Sequence, residues 1–186
     1  LTDSGNMMAA FHFVQAVQGH NKEAEAKNKE AEEKGETPTE TLIKPIIDCK
    51  FNICENHLDK SRQDNGYQVV ILAKNKQGYH NLTKMASIAS TKGFYYVPRI
   101  DKAIVEQYKS DLMVLSGGIN GEIPSKILNI GTKQAEEALL WWKEQFGDDF
   151  YLEVMRHNQE DENRVNETLV EFSKKYGVKL IATNNT

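Results

Sequence analysis

The sequence predicts an α/β protein in which a parallel sheet carries its helices on the outside. Strand-like apolar runs such as YQVVILA and LMVL alternate with amphipathic helical segments, and short turns join them. With 186 residues, 39% of them hydrophobic, the chain supports one domain with a real core. A closed or nearly closed barrel is favoured over an open doubly wound sheet, two arrangements that periodicity alone does not separate. About five strands are expected in the chain, with a further strand expected before Leu1.

The opening LTDSGNM reads as a strand that ends on Asp3 and turns through Ser4, Gly5 and Asn6 into a helix. Met7, Ala10, Phe11, Val14 and Val17 then recur at helical spacing over 6–19, with Gly19 as the stop. The run at about 20–41, HNKEAEAKNKEAEEKGETPTET, is rich in Glu, Lys and Ala and has no large apolar residue. Such a run buries no face, so it is a solvated helical extension or a mobile insertion. LIKPIIDCKFNI predicts a buried strand, ENHLDKSRQDNG a polar loop and YQVVILAKN a second strand. A helix is expected over 78–92, with Leu82, Met85 and Ile88 or Ala89 inward. FYYVPRID is extended, and its Asp101 is placed to cap a short helix over 102–109. DLMVLSGG and DDFYLEVMR read as strands, GEIPSKILN and TKQAEEALLWWKEQFG as helices. A helix over about 160–176 with Gly177 as its stop, then the strand VKLIATNN, complete the order.

A formal net charge of -4 argues against a surface whose main task is gripping nucleic-acid phosphates. Cys49 and Cys54 fall on opposite faces of one strand-like run, which suits two reduced, buried thiols in a cytoplasmic protein better than a disulfide or a shared metal. The sequence shows neither a membrane span nor a signal peptide.

Few residues carry a chemical pattern. SGGINGE (Ser116 to Glu122) is a Gly-rich strand-to-helix turn of the kind that cradles phosphate, but it lacks both glycine-loop signatures and reads better as a close-packed turn. Gly147, Asp148 and Asp149 imitate an acidic metal pair, yet a helix stop followed by a turn explains them. His157 and Asp3 both end strands, face one rim of the sheet and are metal-ligand types. His12, His20, His57 and His80 carry no pattern. Trp141 and Trp142 diverge on their helix, one toward the core and one toward its boundary.

Taken in order, LTDSGNM, IKPIIDCKF, VILAKNKQGYHNL, GFYYVPRID, VLSGGINGEIP, FGDDFYLEVMRH and LIATNN resemble the N-terminal polymerase-and-histidinol-phosphatase (PHP) domain of the bacterial family C replicative polymerase, the DNA polymerase III alpha subunit. The resemblance covers nearly all of 1–186 outside the charged run. It implies a distorted seven-stranded barrel whose first strand, lying before Leu1, carries a His-x-His pair. In members with an intact metal centre the first turn reads Thr-Asp-His-Gly-Asn, so Asp3 matches and Ser4 replaces a histidine. Lys50 stands where the family has glutamate, Gly118 where a cysteine or histidine is common, and Asn185 where the family has aspartate. His157 matches the strand-end histidine.

Serine, glycine and asparagine are poor substitutes for anionic or imidazole ligands, and Lys50 places a cation where bound metal needs the opposite charge. The expectation is therefore a degenerate site that holds no catalytic metal, with no catalytic residue or cofactor in this chain. Lys50 is expected to pair with Asp3 or Glu153, and Ser4 to cap a helix beginning near Asn6. For the parent chain the resemblance implies magnesium-dependent addition of dNTPs to a DNA template-primer. It also implies the remaining polymerase domains, a proofreading exonuclease subunit and a sliding clamp as partners, with no membrane. The rival from the same barrel is a working metal-dependent phosphoesterase or 3'-5' exonuclease; a third reading is an unrelated protein binding a phosphorylated small molecule at SGGINGE.

Overall fold

The computed structural model describes residues 1–184. Its strands are β1 (Thr2–Ser4), β2 (Asp48–Cys54), β3 (Tyr67–Ala73), β4 (Arg99–Asp101), β5 (Leu112–Leu115), β6 (Phe150–Val154) and β7 (Lys179–Ala182). Its helices are α1 (Ala10–Glu33), α2 (Lys76–Thr91), α3 (Lys102–Tyr108), α4 (Glu122–Asn129), α5 (Thr132–Phe146) and α6 (Glu160–Tyr176). The strands form one sheet in the order β1-β2-β3-β5-β6-β7, and β4 shares the β1 side of β2. Seven strands form where about five are expected; β1 is the short opening strand read as ending on Asp3, and β4, read only as an extended segment, is three residues long and too short to show alternation.

The sheet is mixed, which corrects the parallel arrangement. β3 runs antiparallel to both β2 and β5, while every other pairing is parallel. A parallel return needs a crossover, usually a helix. The segment 55–66 between β2 and β3 is instead a series of Asx turns, with Asn56, Asp59 and Asp64 side chains accepting the N–H of Leu58, Ser61 and Gly66. That loop turns the chain back beside its own strand.

Alternation assigns the two faces. Cys49, Phe51, Ile53, Val69, Ile71, Val114, Phe150 and Leu152 join the helix residues Leu82, Met85, Leu139, Trp142 and Leu169 in one buried core. Asp48, Lys50, Asn52, Tyr151 and Glu153 lie on the other face. Both thiols are free and buried; burial pushes Cys49 up to about 12 and Cys54 up to about 11. Helix ends follow the sequence closely. Asp101 caps α3 by accepting the Ile104 N–H at 3.1 Å, and Gly177 ends α6 in the left-handed region.

The first helix departs from expectation. It begins at Ala10 and runs through Gly19 to Glu33, because the Glu, Lys and Ala run that follows is strongly helix-forming and one glycine costs only about 1 kcal/mol. Only Ala10, Val17 and Ala24 are buried on it, one residue in seven. The return segment is fastened by two asparagines on that spacing. Asn21 makes a two-way amide pair with the Ile43 backbone at 2.7 and 2.8 Å, and Asn28 a similar pair with Glu40 at 2.9 and 3.0 Å. The strand expected from Leu42 therefore starts only at Asp48.

Candidate functional site

Six strands point their carboxyl ends to one rim, so Asp3 and His157 do share it. The side chains diverge nonetheless. Asp3 is in register with Cys49, so it faces the helix layer, and its Oδ2 accepts the Ala9 N–H at 3.0 Å. Its carboxylate thus serves the start of α1. Ser4 does not cap that helix, because α1 starts six residues beyond it; its carbonyl accepts the Asn6 amide at 3.1 Å. Asn6 Oδ1 in turn accepts the Met8 N–H at 3.0 Å.

Lys50 is in register with Ser4, on the face opposite Asp3. The expected ion pairs are not formed: among the described residues Lys50 is bonded to neither Asp3 nor Glu153. Asp3 is out of reach because its side chain crosses to the other face of the sheet. Glu153 is buried and engaged elsewhere, its Oε1 accepting the Thr183 hydroxyl at 2.5 Å. Its Oε2 is buried without a hydrogen-bond partner, and burial raises its carboxyl above the usual range, with the Asp48 charge adding to the effect.

The remaining rim positions are already filled. A Cβ on Gly118 would sit 3.1 Å from Met155 Sδ and Cε, so the thioether occupies the space a ligand side chain would enter. His157 Nδ1 lies 2.7 Å from Glu162 Oε1 and Nε2 lies 2.9 Å from Asn184 Oδ1, while its own N–H donates to Glu162 Oε2 at 2.7 Å. Glu162 foremost, then Asn184, holds the ring above its ordinary pKa. Both ring nitrogens of His157 are thus engaged by side chains of this domain. Asn185 lies outside the described residues.

This donor set does not fit a di- or trinuclear metal centre. Asp3 is turned away, Gly118 is covered by thioether and His157 has both ring nitrogens engaged by Glu162 and Asn184. Among the described residues no three His, Cys, Asp or Glu side chains converge on a common point.

Three polar centres at this end of the sheet escaped the sequence reading. His57 is buried against Asp101, Nδ1 to Oδ2 at 2.5 Å. Burial would lift the Asp101 carboxyl, but the His57 ring and N–H, with the Ile104 N–H, hold it below the usual range. Arg99 is fully buried and donates to the carbonyls of Gly93, Asp64 and Asp59 at 3.0, 2.9 and 2.9 Å, pinning the 55–66 loop onto β4. Neither signals its partner in sequence, since the partners are a residue far along the chain and backbone carbonyls. The third centre is Glu122, buried on α4. Its Oε1 accepts Lys102 and Lys126 at 2.9 and 2.8 Å, and its Oε2 accepts Trp142 Nε1 at 2.9 Å. The SGGINGE turn is close-packed: at Gly117, with φ +81°, a Cβ would fall 2.2 Å from the Gln68 carbonyl oxygen.

A family model for the PHP domain matches residues 1–157. The chain is a PHP domain. It is 39% identical over its whole length to the DNA polymerase III subunit alpha of Borreliella burgdorferi, of which it covers 15%. It is also 35% identical to the protein of that name from Thermus aquaticus and 32% to that from Treponema pallidum, covering 14% of each. This PHP domain therefore spans about a seventh of the length of the curated relatives it matches. Among the described residues no helix is long and apolar enough to cross a membrane.

Proposed function

We propose that this PHP domain is the N-terminal module of a DNA polymerase III alpha subunit, in which it braces the polymerase rather than performing chemistry. The observation that carries the reading is His157: both ring nitrogens are spent on Glu162 and Asn184, at the position where the family places a metal ligand. The placements of Asp3, Lys50 and Met155 support it. On this reading Asp3 and His157 are relic positions, and Ser4, Lys50, Gly118 and Asn185 are substituted ones. The sheet belongs to the family's distorted seven-stranded barrel.

The parent chain, by likeness to its relatives, adds dNTPs to a DNA template-primer in the cytoplasm. Magnesium would be held by polymerase residues outside 1–186, and no step is assigned to a metal in this domain. Its partners are the remaining polymerase domains, a proofreading exonuclease subunit and the sliding clamp. The test is primer extension and phosphoester hydrolysis by the full-length subunit carrying His157→Ala. Extension within about twofold of wild type, with no manganese- or zinc-dependent hydrolysis in either protein, is expected. Hydrolysis by wild type that His157→Ala abolishes would overturn the reading and install the phosphoesterase or exonuclease.

A further inference from the structure

A cleft of about 510 Å³ opens where the 55–66 loop, the start of β3, α3 and α4 meet, and the Glu122 cluster lies in it. That volume is within the range of small-molecule sites. Glu122 Oε1 accepts both Lys102 Nζ and Lys126 Nζ while Oε2 is taken by the Trp142 indole, so one carboxylate faces two ammonium groups. Neither lysine has a second carboxylate partner among the described residues. Their side chains are only 34% and 21% exposed, so they give up much of their hydration while sharing a single counter-charge. The Trp141 face, 4.4 Å from Lys102 Nζ, holds that ammonium in place without neutralising it. Sharing one oxygen brings the two nitrogens within the span of a single oxyanion, and each ammonium still has N–H donors to give.

We infer that this cleft binds a small phosphate monoester, its phosphate bridging Lys102 and Lys126 and its organic part lying against Tyr67. A compact oxyanion supplies the missing counter-charge, and lysines serve a phosphate as point charges without a bidentate fork. Tyr67 lines the same cleft with its ring centre 6.0 Å from Lys126 Nζ, which sets an aromatic surface beside the phosphate position. The charges nearer solvent select for size. Arg62 is cancelled by its ion pair with Glu55, both exposed, and Asp64 on the same loop forms no ion pair among the described residues. A nucleic-acid strand that reached the lysines with one phosphate would lay its neighbouring phosphates against Glu55 and Asp64, a repulsion that a small ester escapes. The assignment is independent of the state of the relic site.

The test uses the full-length subunit in EDTA, which keeps metal-held phosphate out of the measurement, and phenyl phosphate as the probe. Calorimetry should show saturable binding, about tenfold tighter than that of inorganic phosphate, and none of benzyl alcohol. Lys102→Gln and Lys126→Gln should each weaken phenyl phosphate about tenfold, the loss of one charged hydrogen bond. A glutamine still offers Glu122 an N–H, and an unchanged thermal midpoint confirms that each variant folds. In the wild-type protein, bound phenyl phosphate should protect Lys102 and Lys126 severalfold from acetylation, read by mass spectrometry, so the proposal is tested even if a variant does not fold. Absence of saturable binding would overturn the inference, as would binding that both variants leave unchanged or that leaves both lysines unprotected. Inorganic phosphate bound as tightly as the ester would overturn it by leaving no role for the organic part. Displacement of phenyl phosphate by an oligothymidylate would overturn it too, by giving the cleft to nucleic acid.

Discussion

At the level of single residues, His157 and Asp3 are metal-ligand types whose side chains are committed to partners within the domain. In the folded state Glu162 raises the His157 pKa, and His157 in turn lowers that of Glu162. A histidine raised on folding contributes stability below its unfolded pKa of about 6.5 and loses it as pH climbs through the higher folded value. A carboxylate lowered on folding contributes above about 4.3 and loses that as pH falls through its folded value. The pair is therefore strongest between the two lowered and raised values. NMR titration should place His157 above the ordinary histidine range, and Glu162→Gln should bring it back toward that range; no change would remove the pair from the account. Asp3→Ala should cost about 1 kcal/mol by freeing the Ala9 N–H, measurable as a lower denaturation midpoint, with Asp3→Asn close to neutral.

At the level of elements, buried charge joins helices that hydrophobic pattern alone places only roughly. Glu122 on α4 meets Lys102 on α3 and Trp142 on α5, so one carboxylate fixes three helices. Burial would raise its carboxyl, but Lys102 and Lys126 hold it below the usual range. Its stabilisation is full above about pH 4.3 and is lost as pH falls through the lower folded pKa. Glu122→Ala should cost about 3 kcal/mol at neutral pH, because two ammonium groups and an indole N–H lose their acceptor. Arg99→Met should cost a similar amount, about 3 kcal/mol, and its loss should expose the 55–66 loop to proteolysis first.

Helices α3 to α6 were legible in the sequence because each combines an apolar stripe with a capping or stopping residue, as Asp101 and Gly177 do. The reversal of β3 was not, since alternation reports which face a side chain occupies and is silent on strand direction. The extent of α1 was misread because Gly19 is a stop only when the residues after it are poor helix formers. At the rim, the proposal of replaced ligands rests on residue types read against the family resemblance. They did not show that Asp3 faces the helix layer, which is set by register with Cys49, nor that Met155 stands over Gly118.

For the molecule as a whole, a sheet with one reversed strand presents six carboxyl ends to a rim closed by hydrogen bonds, thioether and a pinned loop. In the proposed function that rim braces the polymerase. The proposed bracing role predicts that Lys50→Glu alone, which installs the residue that the family resemblance implies there, creates no metal site, because Asp3 and His157 stay committed to Ala9 and Glu162. The most direct measurement is elemental analysis of the full-length subunit purified without chelator, in wild-type and His157→Ala forms. The account predicts no stoichiometric zinc or manganese in either form. Stoichiometric metal in wild type that disappears with His157→Ala would contradict it.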